Sequence, residues 1–218
     1  PDYVYIARPE DLPESLFTDS QASIICIGRC IPADNSQPPP SCSLIVLDEK
    51  CGLLDVFSET QSIFDFYNDW DSKLQNCLNN ESGFQSILDV SYEVIEQPMF
   101  ISDASLKALA YTREVSVEEV NEPEWTSIVK NGFSSMEVIK ILKKNNIHYN
   151  YITGQVKPFI FKHPNLTHRG IVTNIRAEDK KVGALVTLEV FGEFKASHLH
   201  MAEHLGKVLS IAFKNDKY

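Results

Sequence analysis

Two groups of side chains in this sequence are of the kinds that hold metal ions. His198, His200 and His204 cluster near the carboxyl end. On a helix His200 and His204 lie one turn apart and can face one ion, as helix-borne zinc ligands do. The run reads His200-Met201-Ala202-Glu203-His204, without the glutamate of an HExxH arrangement. An exposed polar helix face is the expected reading, with a pH-responsive role the weaker alternative. Cys26, Cys30, Cys42 and Cys51 supply thiolates but lack the paired C-x2-C knuckles of a zinc site. Cys26 and Cys30 on a strand stand about 13 Å apart on one face. They share a metal only if the strand breaks between them, which Gly28 permits. Buried inert thiols are the expectation. With Cys77 the count is five, and an odd count without a leader segment argues for reduced thiols. No G-x-S-x-G elbow, Walker loop or G-x-G-x-x-G is present, so nucleophilic and nucleotide-dependent catalysis find no support and the chain is expected not to be an enzyme. Glu178, Asp179, Lys180 and Lys181 are read as solvated charges of a hairpin turn.

Composition sets the frame for these side chains. Of 218 residues, 43% are hydrophobic and 23% charged, the ordinary globular range, with two domains as the expectation. No apolar run approaches the ~18 residues of a membrane span and no basic-then-apolar leader is visible. A soluble, cytoplasmic protein without membrane contact is expected. The net charge of −10 is uneven: residues 1–93 hold 16 acidic and 4 basic side chains, residues 94–218 hold 14 and 16. An acidic first half is repelled by a phosphate backbone, so this chain should not bind DNA itself.

The elements that must position any site fall in three segments. Residues 1–57 read as a small α/β unit. Its strands are expected at Tyr3–Ile6, Ala22–Ile27 and Leu44–Leu47, with a fourth at Leu53–Phe57, and its loop at Asp34–Ser41 contains three consecutive prolines. The connections are too short for the long crossover helices of a doubly wound nucleotide-binding sheet. Residues 58–97 read as linking helices. Ser58-Glu59-Thr60-Gln61 matches a capping box and predicts a helix start. Ile63, Tyr67, Trp70, Leu74 and Cys77 then form a heptad-like seam that packs either on the chain's own sheets or on a second copy. Phe84, Ile87, Leu88, Ser91 and Ile95 form one helical stripe. Pro98 closes that helix, so Met99 to Ser102 is expected to begin a strand. Asp103-Ala104-Ser105 should turn, and Leu106 to Thr112 should return.

A helix entering a hairpin through QPMFISD and LKALAYT resembles the sensory module of PucR-type bacterial transcription regulators, the group named for purine catabolism and related to sugar-diacid regulators. The upstream run IFDFYNDWDSKLQNCLNN is similar to the helix that precedes the sensor in that family. The resemblance covers Gln61 to Asp216 through patterns of residue class. It implies an α+β fold with a PAS/GAF-like domain over residues 98–218, built on a five-stranded antiparallel sheet. Short helices would lie at Glu122–Phe133 and Met136–Leu142, strands at Pro158–Lys162, Gly170–Arg176 and Val182–Phe191, and a closing helix at Ser197–Lys214. That last helix has its own seam in Leu199, Ala202, Leu205, Leu209 and Ala212, and two such seams suit a homodimer.

The resemblance also implies the function: an effector-sensing and dimerising region coupled to a helix-turn-helix domain that normally follows the sensor. No such element follows here, so the chain, which begins at Pro1, is expected to be a fragment that reaches DNA only through a domain outside it. A small-molecule effector would sit between the sheet and the short helices. Tyr111, Trp125, Tyr149, Tyr151, Phe159, Phe161 and His168 are the residues best placed to line that pocket, each with plain core packing as its alternative. No cofactor is expected. The competing function is a ligand-free interaction module that only holds two chains together.

Overall fold

A computed structural model describes residues 3–13, 22–29, 43–144, 154–178 and 180–215. The chain divides into two compact units, Pro1–Asn68 and Asp69–Tyr218.

In the first unit β1 (Val4–Ala7), β2 (Ser23–Ile27) and β3 (Ser43–Leu47) form a parallel sheet in that order. Fifteen residues separate each successive pair of strands, enough for the crossover that parallel pairing requires. Ala22, Ile24 and Cys26 form its small core with Leu12 and Leu44. The expected fourth strand at Leu53–Phe57 is not a strand. Those residues open the 27-residue helix α1 (Leu53–Asn79), so Ser58 lies inside the helix and accepts a hydrogen bond from Ser62 Oγ through its carbonyl instead of capping the end. A short apolar run fits strand and helix alike, and the long 3.6-residue pattern downstream decides the conformation. A true capping box occurs at Ser116, whose Oγ accepts from Glu119 N while the Glu119 carboxylate accepts from Ser116 N.

The second unit is a five-stranded antiparallel sheet in the order β5-β4-β8-β7-β6. Its strands are β4 (Met99–Asp103), β5 (Ala108–Tyr111), β6 (Phe159–Phe161), β7 (Gly170–Ala177) and β8 (Lys180–Leu188). The α+β class and five-stranded sheet implied by the resemblance are the architecture observed. Helix α2 (Gly83–Ile95) ends where expected: Glu96 turns into the left-handed region with its N–H on Tyr92 O, two residues before Pro98. Buried Gln97 then ties the junction to the far end of β8, its Oε1 accepting from Val190 N and Phe191 N. The turn after β4 is held by Asp103 Oδ1, which accepts from Ser105 N, Ser105 Oγ and Lys107 N.

Alternation along the strands builds two cores. Met99, Ile101, Ile175 and Leu185 face a layer made by the end of α1, by α2 and by the closing helix α6 (Ala196–Asn215), which contribute Trp70, Leu74, Ile87, Leu88, Leu205 and Leu209. Gly206 lets α6 approach β7 closely, since a Cβ there would stand 2.6 Å from Thr173 Cγ2. Phe100 and Leu188 face the other way, toward α3 (Val117–Val120) and α4 (Pro123–Asn131), where Val120, Trp125 and Ile128 complete a second apolar cluster. Beside α4 lies α5 (Met136–Lys144).

Candidate ligand-binding site

The face of the sheet turned toward α4 and α5 is not filled throughout. A cavity of about 380 Å³ lies over β4, β8, β7 and β6, within the range of small-molecule sites. Its floor is apolar: Phe100, Val172, Val186 and Leu188 come from alternate positions of three strands. Val138, Ile139 and Leu142 of α5 cover it.

Two buried carboxylates hold the walls in place. Glu122, just before the Pro123 that starts α4, accepts from Thr167 N at 2.7 Å and His168 N at 3.1 Å through Oε2, pinning the approach to β7. Its Oε1 is buried without a hydrogen-bond partner. Glu124 accepts from Ser135 N at 2.7 Å and so fixes the entry to α5. Burial pushes the Glu124 carboxyl up from its ordinary pKa, and the Glu122 charge adds to this, against the pull of the Ser134 and Ser135 hydrogen bonds. His168 Nε2 lies 2.8 Å from Val120 O. A carbonyl only accepts, so Nε2 carries the proton.

Of the aromatic and polar residues expected to line the pocket, Phe161 and His168 do so. Trp125 and Tyr111 lie beside it in the second apolar cluster. Their rings meet edge to face at 6.1 Å, and Trp125 is fully buried. Phe159 lies on β6 opposite Val172 and is not part of the wall. Tyr149 and Tyr151 lie outside the described residues. The reading of Lys180 and Lys181 as solvated turn charges needs correction, although Lys180 is exposed as expected. Both belong to β8, Lys181 lines the cavity, and burial with the neighbouring Arg176 charge holds its ammonium pKa below the ordinary lysine value. Glu122, Glu124 and Lys181 escaped the sequence reading, because a charged residue next to a proline or a turn reads as surface. The only hint was the pair of acids flanking Pro123 at a helix start.

The metal readings find no support among the described residues, where no group of three or more His, Cys, Asp or Glu side chains is placed to hold an ion. The histidines of α6 are not one exposed face. His198 is buried and accepts from Lys195 N through Nδ1, and burial lowers its pKa. His204 Nε2 pairs with Asp71 Oδ1 at 2.8 Å, while His200 is exposed. Cys26 is buried, Cys51 and Cys77 are half-buried, and Cys30 and Cys42 lie outside the described residues.

No family model matches the sequence, and no curated protein matches it. Three solved structures similar to the chain are GAF domains. One from Pseudomonas syringae pv. tomato is 12% identical, covering 74% of this chain and 93% of its own at a TM-score of 0.46. One from A. aeolicus in an inactive state is 14% identical, covering 68% and 99% at 0.43. The cofactor-binding GAF domain of the nutrient sensor CodY from Clostridium difficile is 18% identical, covering 73% and 97% at 0.40. Likeness at this level identifies neither a ligand nor an activity. Among the described residues no helix is long and apolar enough to cross a membrane.

Proposed function

We propose that the chain is the effector-sensing and dimerising region of a cytoplasmic, PucR-type transcription regulator. In this reading it catalyses no reaction, and it acts on DNA through a domain outside the chain. The observation that carries the reading is the cavity of about 380 Å³ under α5, an unfilled space that a domain evolved only for packing would close.

The route of coupling is short. Val172 and Val186 face the cavity while their neighbours Thr173 and Leu185 face the helical layer. A ligand that presses on β7 and β8 thereby bears on α6. If its affinity differs between two placements of α6, it shifts their populations. A melting-temperature screen of small metabolites tests this. A true effector raises the melting temperature in proportion to RT ln(1 + [L]/Kd), about 2.7 kcal/mol at a hundred times Kd. Val186→Trp, which fills the cavity, abolishes the rise. Stabilisation that persists in Val186→Trp would refute the cavity as sensor.

The ligand-free interaction module is the second reading, favoured by the apolar side chains exposed on α1, among them Ile63, Phe64 and Phe66. In that case no metabolite shifts the melting temperature, while self-association persists.

A further inference from the structure

The cavity wall carries one charge that no described residue answers. Along β8, Ala184, Val186 and Leu188 face the cavity while Leu185 faces the helical layer. Unbroken alternation would turn Val182 into the cavity and Lys181 toward the helices. The ladder instead slips: Ile175 pairs with Gly183, but the next residue, Arg176, pairs with Lys181. Val182 is the extra residue of a β-bulge and packs on the helix-side core, which brings Lys181 to the cavity wall. Bulges re-aim side chains in this way. Gly183, next to the bulge, lets β8 lie close to β4 and α6, because a Cβ there would lie 2.5 Å from Ser102 O and 2.7 Å from Phe213 Cζ.

Lys181 makes no hydrogen bond or ion pair with any described residue. Its charged neighbour is Arg176, which opposes its ionisation, and no described carboxylate offsets that effect. The acidic residues of the wall hold backbone amides, although Glu122 Oε1 has no hydrogen-bond partner. Glu122 holds Thr167 and His168, Glu124 holds Ser135, and Asp103 holds its own turn. A half-buried ammonium without a counter-ion is unfavourable until an anion reaches it, and the pair is then charge-assisted and poorly screened.

Resting on the reading of the cavity as a ligand site, we propose that Lys181 anchors the acidic group of the ligand. The cavity then selects small organic acids with an apolar body over uncharged molecules of the same shape. The apolar body would lie along Phe100, Val172, Val186 and Leu188, with its acid group at the bulge.

Fluorescence titration of the whole chain with two dyes tests this. 1-Anilinonaphthalene-8-sulfonate and N-phenyl-1-naphthylamine share an aromatic body and differ in the sulfonate. The wild type should bind the sulfonate dye about tenfold or more tightly than the neutral one. Lys181→Met should remove that difference and leave the neutral dye's affinity within about twofold, while Lys181→Arg retains the preference. Lys181→Gln replaces the methionine variant should the latter not fold. Val186→Trp should weaken both dyes. If the preference survives loss of the lysine while Val186→Trp still expels both dyes, the cavity is a ligand site and the Lys181 assignment is wrong. If Val186→Trp changes neither titration, the dyes bind elsewhere, and the cavity reading fails together with the assignment.

Discussion

Glu124 is a carboxyl that the folded chain would rather keep protonated. Because burial raises its pKa, the native state holds the proton more tightly than the unfolded chain. The stability this confers is complete below the ordinary value of 4.5 and is lost as the pH rises through the raised one. Glu124→Gln keeps an oxygen for Ser135 N–H and carries no charge. Its melting temperature should therefore gain on that of the wild type as the pH goes from about 4 to about 8. A difference that stays flat across that range would mean the carboxyl titrates as it does unfolded. Glu124→Ala instead strands the Ser135 amide and should cost about 1–3 kcal/mol at any pH, read by urea denaturation. Lys181 has the opposite charge but the same predicament. Burial depresses its pKa, so its charge weakens the empty protein at neutral pH, and Lys181→Met should melt higher than the wild type when no ligand is present. The family layout points to Phe161 and His168, but strand alternation does not separate Phe161 from Phe159, two positions earlier on β6 and outside the wall. The glutamates and the lysine could not be placed from sequence, since their burial depends on partners more than 10 residues away and on one slipped register.

At the level of elements, legibility followed the length and purity of the pattern. Helix α2 and strand β4 were readable because Phe84, Ile87, Leu88 and Ile95 share one stripe with Ser91 and because Pro98 marks the boundary. The start of α1 was misread because Leu53, Leu54, Val56 and Phe57 suit a strand as well as a helix, and Ser58-Gln61 mimicked a cap that the longer helix overrides. The bulge in β8 left no mark beyond Gly183. Glycine is needed there because of the backbone: its Cβ would meet the Ser102 carbonyl oxygen at 2.5 Å, and the oxygen cannot move without parting β4 from β8. At Gly206 the obstacle is a threonine methyl at 2.6 Å, which a rotamer change can relieve. Gly183→Ala should therefore destabilise by about 2–3 kcal/mol and Gly206→Ala by about 1, measured by chemical denaturation. The reverse order would show that β8 gives more readily than α6.

For the whole molecule the open question is what the first half of α1 meets. From Trp70 onward the helix buries Trp70, Leu74 and Leu78 in the core of the second unit, so that part of the heptad-like seam is internal. Before it, Leu54, Phe57, Ile63, Phe64 and Phe66 are each more than half exposed, large apolar side chains spread over more than one face of the helix. Exposed apolar side chains on a long helix suit a second copy of itself, with Ile63 and Tyr67 at the seam positions. Sedimentation equilibrium of the wild type should then give a dimer. Ile63→Glu with Phe64→Glu should give a monomer whose helix content is unchanged, because both side chains are exposed. Leu74→Ala is the matched control. It removes a buried side chain and should cost about 2–5 kcal/mol of stability without specifically dissociating the dimer. If the doubly substituted chain stays dimeric, association runs through another surface. Coupling between cavity and partner would then have to pass through α6 alone.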